Sequence, residues 1–274
     1  MKEREDDSAM DKFAIKIHTN EIRFRYARGV HEHTGKEFHP HHELFFLFDG
    51  DAELFTEFGK IKLAPGTLVI VPKEHFHQFS NTGNETDYLR CTFSFGNIQE
   101  YSELIFSRIQ QVTVFQTDSS SELAFLFERS KSLAFSARNL EEKRILLKAY
   151  LAEILIHLDE ATKTPLETTF SLSPITKKAI AYINRHIAED LSLTTLAEHL
   201  NVSVSHLSHV FKADIHLSIH KYVQQKRLIL ANDKILNSIP SAVAAAECGY
   251  HDYSNFYQQY KNYFGIAPSQ STNG

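Results

Sequence analysis

The sequence lacks several features that mark particular classes of protein. It has no Trp, two Met and two Cys, and Cys91 and Cys248 stand too far apart for a metal-binding spacing or a disulfide framework. No apolar run reaches the roughly 18 residues of a membrane span, and the first ten residues, MKEREDDSAM, are charged. We therefore expect no export and no membrane partner, and the two thiols fit a reducing cytoplasm.

Signatures of several enzyme classes are also missing. The chain has no Gly-rich phosphate loop, no acidic phosphoacceptor pattern and no Ser/His/Asp array. A DNA-repair methyltransferase would need several Cys for its nucleophile and its zinc ligands, and two isolated Cys exclude that class.

Charge is distributed unevenly along the chain. The formal net charge over 274 residues is −5, but nine Lys or Arg and seven Asp or Glu from Ser171 onward give that part +2. The length favours two domains, and 42% hydrophobic residues, 21 Phe among them, suffice for sizeable cores. A charge of +2 is modest for a nucleic-acid binder, so helix N-termini and polar groups would share the phosphate contacts.

One helical pattern occurs twice in the C-terminal part. The first copy runs from Leu193 to Ser218 and the second from Ala242 to Ser269, and an offset of 49 residues superposes them. Each copy predicts a short apolar helix, a tight turn and an amphipathic helix, which is the helix-turn-helix plan for entering the major groove of DNA. A long helix, 218–236, is predicted between them. Two copies in register favour a DNA-binding domain that contacts two major-groove segments over an ordinary helical bundle.

The second helix of each copy combines an apolar stripe with a polar face. The stripe residues, spaced for one helix face, are Leu207, Val210, Phe211, Phe256, Tyr260 and Phe264. Short polar side chains on another face can reach base edges, since Asn and Gln pair with adenine and His can donate to guanine or phosphate. The candidate DNA-contacting residues are Ser205, Ser208, His209 and Lys212 in the first copy, and Ser254, Asn255, Gln258 and Lys261 in the second.

The N-terminal part has a strand-like pattern followed by helical periods. Strands are predicted at 22–28, 43–48, 52–58, 67–72 and 87–95, with glycines at the turns, and helices at 101–111, 121–135 and 140–158. Many short strands with regular turns predict an antiparallel barrel or jelly roll. Asn139 is the predicted N-cap of the last helix. The apolar stripe of that helix is interpreted as partly a homodimer interface, the alternative being that it only packs on the barrel: Ile145, Leu146, Tyr150, Ile154 and Leu158.

These patterns predict a two-domain α+β chain. Residues 1–12 form a disordered arm, 13–160 a β-barrel or jelly roll with following helices, and 174–270 an all-α double helix-turn-helix. The Thr- and Ser-rich segment 161–173 has no clear period and predicts a linker. Ser173 and Pro174 then begin a helix as N-cap and first helical residue.

The C-terminal part resembles the DNA-binding domain of AraC/XylS-type transcriptional regulators. The resemblance covers nearly all of 175–270 and rests on AYINRHI, LSLTTLAEHLNVSVSHLSHVFK, KRLILANDKIL and CGYHDYSNFYQQYKNYFGIAPS. It implies a regulator, such as an activator, with double-stranded DNA and RNA polymerase as partners. The base-facing positions that it implies are Ser205, Ser208, His209, Tyr253, Ser254, Asn255 and Gln258.

One residue departs from the pattern of that family. His216 stands where the family has the Gly that ends the helix in a left-handed conformation, and its counterpart in the second copy is Gly265. A His at this position would cost about 1 kcal/mol in strain or force a different turn.

The N-terminal part resembles the cupin-type sensor domain of the same regulators, through GKEFHPHHELFFLFDG and GTLVIVPKEHFHQFSN. The candidate effector-binding residues are His39, His41, Glu43 and His77. Metal-binding cupins hold a transition metal with such His and Glu residues. Glu43 follows His41 by only two residues, however, and residues 39, 41 and 43 of a strand would share one face. We therefore expect a polar pocket without metal or cofactor.

The leading hypothesis is a regulator controlled by a small-molecule effector. Arg and Tyr residues in the strands suit a sugar or another hydroxylated or anionic molecule: Arg23, Arg25, Tyr26, Tyr88 and Arg90. The alternative is a metal-dependent cupin enzyme, an isomerase or dioxygenase, fused to a helical domain.

Overall fold

The computed structural model describes residues 11–19, 21–29, 38–57, 59–81, 88–96, 98–109, 111–161 and 170–271. The chain divides into two compact units. Unit 2 comprises Phe170–Gly274 with two short segments, Lys36–Pro40 and Thr56–Gly59, and unit 1 comprises the remaining residues up to Thr169. The division falls inside the predicted linker, of which 162–169 lie outside the described residues, as does the predicted arm up to residue 10. Among the described helices, none is long and apolar enough to cross a membrane.

Unit 1 is built on two β-sheets. The strands are β1 Asp11–His18, β2 Ile22–Gly29, β3 His42–Asp49, β4 Ala52–Thr56, β5 Gly59–Leu63, β6 Thr67–Val71, β7 His77–Asn81, β8 Tyr88–Phe95 and β9 Thr113–Gln116. The larger sheet has the order β1-β2-β8-β3-β6-β9 with antiparallel neighbours, and the smaller places β4 between β5 and β7. The predicted strands are present within two residues of their bounds. The sequence interpretation took the stretch from Phe13 to about Phe95 as strand-like without giving bounds for β1, β5 or β7. It missed β9, and it placed the first two residues of β1 in the arm.

The central strands are buried on both faces. On β3, Phe45 and Leu47 enter a core with residues of the smaller sheet, whereas Leu44 and Phe46 enter a second core with the helices. Those helices are α1 Ser102–Arg108, α2 Glu122–Phe135 and α3 Leu140–Ala161, preceded by a 3-10 turn at Gln99–Tyr101. Because side chains alternate along a strand, one strand therefore supplies both cores.

Helix α3 begins at the predicted cap. The Asn139 side chain accepts a hydrogen bond from the Glu142 N–H at 2.9 Å, and the Glu142 carboxylate accepts one from the Asn139 N–H at 3.3 Å, a reciprocal capping box. Most of the stripe proposed as an interface packs inside unit 1. Tyr150, Ile154 and Leu158 are buried, Leu146 is partly buried, and Ile145 is 62% exposed. The interface interpretation is therefore wrong for the buried residues of the stripe.

Unit 2 begins with the two-residue strand β10 at Phe170–Ser171 and continues with helices. They are α4 Pro174–Arg185, α5 Leu193–Leu200, α6 Val204–Ile215, α7 Ile219–Leu236, α8 Ser241–Glu247 and α9 Tyr253–Phe264, followed by a 3-10 turn at Pro268–Gln270. Ser173 caps α4 and Pro174 is its first residue, as predicted. The helices α6 and α9 have 12 residues each and their bounds differ by the 49 residues of the sequence repeat. The predicted two-domain α+β class is confirmed.

The two copies also end their second helices in the same way. His216 adopts the left-handed conformation at φ 61°, and its N–H donates to the Lys212 carbonyl at 3.0 Å. Gly265 has φ 77°, and its N–H donates to the Lys261 carbonyl at 2.8 Å. His216 therefore makes the same turn as Gly265. The sequence left two outcomes open, a strained His or a different turn, and the structure has the strained His.

Candidate functional site

Helix α6 presents the first polar face. Its N-terminus is capped by the Ser203 hydroxyl, which accepts a hydrogen bond from the His206 N–H at 3.2 Å. Leu207, Phe211 and Ile215 are fully buried, and Val210 is half-buried. The predicted contact residues Ser205, His209 and Lys212 are exposed, whereas Ser208 is half-buried. Three of the four predicted side chains of this helix are thus open to a partner.

Helix α9 presents the second polar face. Its cap is Asp252, whose carboxylate accepts a hydrogen bond from the Ser254 N–H at 2.8 Å. Phe256 and Tyr260 are fully buried, and Phe264 is half-buried. All five predicted contact residues are exposed: Tyr253, Ser254, Asn255, Gln258 and Lys261.

Two side chains that the sequence interpretation missed hold Asn255. The Gln259 amide donates to Asn255 Oδ1 at 2.8 Å, and the Tyr250 hydroxyl donates to Gln259 Oε1 at 3.1 Å. The spacing of four residues between Asn255 and Gln259 was a sufficient signal, because such pairs meet on a helix surface. The Tyr253 hydroxyl lies 2.8 Å from the Ser241 hydroxyl on α8. The first turn of α9 is therefore fixed before any partner binds.

Buried hydrogen bonds hold the inner face of α9 against α7. The Tyr260 hydroxyl donates to the Asn232 side chain on α7 and lies 2.7 Å from the Ser271 hydroxyl. Burial raises the pKa of Tyr260 above its ordinary value. A neutral tyrosine in a satisfied polar network fixes one packing of α9 on α7.

The predicted effector residues Glu43 and His77 lie together in unit 1. His77 Nε2 is 3.9 Å from Glu43 Oε2, and its Nδ1 lies 3.1 Å from the His75 carbonyl oxygen. A carbonyl can only accept, so Nδ1 carries a proton and the Nε2 edge faces the carboxylate. His41, half-buried, belongs to unit 1 with Glu43 and His77, whereas His39 belongs to unit 2. These donors suit a divalent transition metal as well as a polar ligand.

A further polar pair lies deeper in unit 1. The Arg90 guanidinium is 5.2 Å from the centre of the Tyr88 ring, and the two residues are 1% and 0% exposed. Burial raises the pKa of Tyr88 to about 12, with Glu43 adding to the rise, and burial lowers the pKa of Arg90. The Tyr88 hydroxyl has no hydrogen-bond partner in the part of the chain that the structure describes. Phe45 and Phe79 stack nearby, with ring centres 4.0 Å apart.

Comparison with known proteins finds two matching families and several relatives. A helix-turn-helix domain matches residues 196–273 and a cupin domain matches residues 23–91. The HTH-type transcriptional regulator GbdR of Pseudomonas aeruginosa is 29% identical over 102 residues, 37% of this chain and 28% of that protein. The chain therefore matches only about a quarter of that relative's length. The Msm operon regulatory protein of Streptococcus mutans is 26% identical over 268 residues, 86% of this chain and 85% of that protein.

The chain belongs to the AraC-type transcriptional regulators. Among solved structures, the C-terminal domain of AraT, a response regulator from Geobacillus stearothermophilus, is similar at 32% identity with a TM-score of 0.36, over 36% of this chain and 84% of that one. In this AraC-type regulator the cupin match runs from β2 into β8, and the helix-turn-helix match covers most of the first repeat copy and all of the second. The named relatives are regulators, which favours the regulator interpretation over the enzyme alternative.

Proposed function

We propose that this AraC-type regulator binds double-stranded DNA sequence-specifically through α6 and α9, under the control of a small-molecule effector in unit 1. The observation that carries the DNA proposal is the structural repeat in unit 2. Two helices of 12 residues, each capped by a polar side chain, bury one apolar face and expose polar residues on another. Each copy would place its second helix in the major groove, with segments about one turn, or roughly 34 Å, apart.

The proposed contacts differ in what they contribute. Asn255 and Gln258 carry base preference at one segment, because their amides match the adenine edge. Ser205 and His209 carry it at the other, with a smaller part for the half-buried Ser208. Lys212 and Lys261 lie in the last turns of their helices and would contact phosphate, which adds affinity without base preference.

The test is selection of binding sites by the full-length chain from random duplex DNA. Wild type should enrich a motif with two separated blocks. Asn255→Ala and Gln258→Ala should each cost about 1–3 kcal/mol and relax base preference in one block, and Ser208→Ala with His209→Ala should act on the other. Asn184→Ala removes an equally exposed amide on α4 and serves as the matched control. Unchanged affinity and preference in the two α9 variants would refute the assignment of that helix.

The proposed effector site lies in unit 1, around His41, Glu43 and His77. Glu43 and His77 are near the stacked Phe45 and Phe79 rings, and ligand pockets combine such convergent polar groups with apolar walls. The buried Tyr88 and Arg90 extend this polar interior. Hydroxyl, imidazole and guanidinium groups together suit a hydroxylated or anionic molecule, such as a sugar or a sugar acid. We propose that the site acts as a sensor and carries out no catalysis.

A binding test can separate the sensor residues from the DNA-binding residues. Wild type is titrated calorimetrically with monosaccharides and sugar acids, and the best ligand is used for the variants. Glu43→Ala and His77→Ala should abolish ligand binding and induction of a reporter, while basal DNA binding persists. Asp51→Ala removes an exposed carboxylate in the neighbouring turn and is the control. Normal induction in both variants would show that the effector binds elsewhere.

We further propose that two copies pair through the exposed face of α3 and act on chromosomal DNA in the cytoplasm with RNA polymerase. Ile145 and Ile156 are 62% and 55% exposed and lie three turns apart on one side of the helix. Pairing would join two readers and raise their effective concentration on a double site. Sedimentation at tens of micromolar should give a dimer that Ile145→Asp with Ile156→Asp dissociates. Phe106→Asp, at a 78% exposed position on α1, should leave it intact. A monomeric wild type would refute pairing.

A further inference from the structure

One side chain of the connecting helix contacts the backbone just before the first helix-turn-helix copy and the backbone within the second. Arg227, in the middle of α7, donates from Nε to the Ile187 carbonyl at 2.8 Å and from Nη2 to the Glu189 carbonyl at 2.6 Å. Both carbonyls lie between α4 and α5, where the chain enters the first copy. Arg227 Nη1 donates to the Gly249 carbonyl at 3.1 Å, in the turn between α8 and α9 of the second copy. The guanidinium thus joins α7 to the segment that leads into the first copy and to the α8–α9 turn of the second.

The approach of the second copy to Arg227 depends on a glycine. Gly249 has φ 83°, and a Cβ added there would lie 2.9 Å from the Ala188 carbonyl oxygen and 2.9 Å from Arg227 Cζ. A side chain would therefore push the α8–α9 turn away from both groups. Next to this contact, an open cavity of about 570 Å³ is lined by residues of the two copies and of α7, among them Leu193, His220 and Asn255.

Arginine is suited to this position by its shape. Its planar guanidinium presents donors in fixed directions, so three carbonyls from separate segments can be bonded at once. A lysine ammonium keeps the charge but is a single point on a flexible stem. Arg227 is half-buried, and this burial lowers its pKa from the ordinary value. The nearby Tyr250, Asp190 and Cys248 have the opposite, smaller effect and raise the pKa. Partial burial strengthens each hydrogen bond relative to one in bulk water.

We propose that Arg227 is a positioning residue that fixes the direction of α9 relative to α6 and thereby sets the spacing between the two DNA segments that the regulator accepts. The effect on DNA rests on the proposed function, whereas the effect on helix geometry does not. One base pair added between the segments displaces the second by about 3.4 Å and rotates it by roughly 34°. If α6 and α9 are held rigidly, they cannot both contact the shifted segments, and affinity falls. If their relative direction can change, α9 can follow the displaced segment, and less affinity is lost.

Two measurements on the full chain test the proposal. Spin labels at Ala213→Cys and Asn262→Cys, equivalent exposed positions on α6 and α9, report the distance between the helices, while the native Cys91 and Cys248 are buried. Wild type should give one narrow distance distribution, and Arg227→Lys a broadened or shifted one. Arg185→Ala removes an exposed positive charge on α4 and should match wild type. A distribution in Arg227→Lys that matches wild type overturns the proposal, and circular dichroism confirms that the variant is folded.

The second measurement is the spacing preference on DNA selected by wild type. Wild type should lose about 100-fold in affinity when one base pair is inserted or removed between the blocks, and Arg227→Lys about 10-fold or less. Arg185→Ala should lower affinity equally at all spacings and keep the wild-type ratio. An unchanged ratio in Arg227→Lys refutes the spacing role. If wild type enriches no paired motif, the proposed DNA function fails, and the distance measurement still decides whether Arg227 positions the helices.

Discussion

Substituting the left-handed residue that ends the second helix of each copy should change the local stability of that helix end. Gly265 ends α9 at φ 77°, and a Cβ built on it meets no atom of the described residues within 4 Å. Gly265→Ala therefore adds only backbone strain, about 1–2 kcal/mol, offset by the roughly 0.5–1 kcal/mol by which Ala restricts the unfolded chain. The net loss is about 0.5–1 kcal/mol. His216 has the same strain at φ 61°, so His216→Gly should stabilise the end of α6 by a similar amount.

Hydrogen–deuterium exchange of the full chain measures both helix ends in one experiment. A change of about 0.5–1 kcal/mol alters the local opening equilibrium roughly two- to fivefold. Amides in the last turn of α9 should exchange faster by that factor in Gly265→Ala, and those in the last turn of α6 slower in His216→Gly. Gly265→Asn is the control, because Asn tolerates the left-handed conformation and should stay nearer wild type. Equal rates at the end of α9 in wild type and Gly265→Ala would refute the strain argument.

Three further outcomes follow from the structure. Protein purified without a chelating tag should contain well under one equivalent of transition metal. Near-stoichiometric metal that is lost in His77→Ala would revive the enzyme alternative. Gln259→Ala should weaken base preference at the Asn255 contact by about 1 kcal/mol while α9 stays folded, since the amide that holds Asn255 is lost; an unchanged preference would mean that Asn255 needs no support. Asn139→Ala should destabilise α3 by about 0.5–2 kcal/mol through loss of its capping box, measured by exchange in its first turn, and protected amides there would contradict this.

The sequence was most informative where one face of an element is buried and the other is not. The spacing of Leu207 and Phe211, and of Phe256 and Tyr260, predicted the buried faces of α6 and α9, and these residues are fully buried. The same reasoning was insufficient on α3, where an apolar stripe cannot reveal whether it packs in the same chain or on a second copy. Most of that stripe is buried in the core that the helices share with the larger sheet, and the exposed Ile156 lay outside the stripe.

The interior of unit 1 was less accessible to sequence reasoning for a different reason. Strand β8 is buried on both faces, so Cys91 and Phe93 enter one core while Tyr88 enters the other. A strand of this kind shows no polar face, so the sequence named Arg90 as a residue suited to an effector without revealing that it is 1% exposed. The Arg227 contacts were invisible as well, because their acceptors are backbone carbonyls and carry no sequence signal.

The two copies have the same helix length and ending, but the structure holds them differently. In the second copy the Tyr260 hydroxyl reaches Asn232 on α7 and Ser271 beyond the helix. The equivalent residue of the first copy, 49 positions earlier, is Phe211, which packs edge-on against Tyr222 with ring centres 5.4 Å apart and has no hydroxyl to bond. The first copy also has the strained His216.

Both differences weaken α6 relative to α9, so amides in the middle of α6 should exchange faster than those of α9 in wild type. Tyr260→Phe should make the amide exchange rates of α6 and α9 more alike. It removes a single oxygen atom, and with it the hydrogen-bond network, while the ring packing stays in place. If α9 exchanges as before in that variant, ring packing alone holds it, and the network contributes nothing to the difference between the copies.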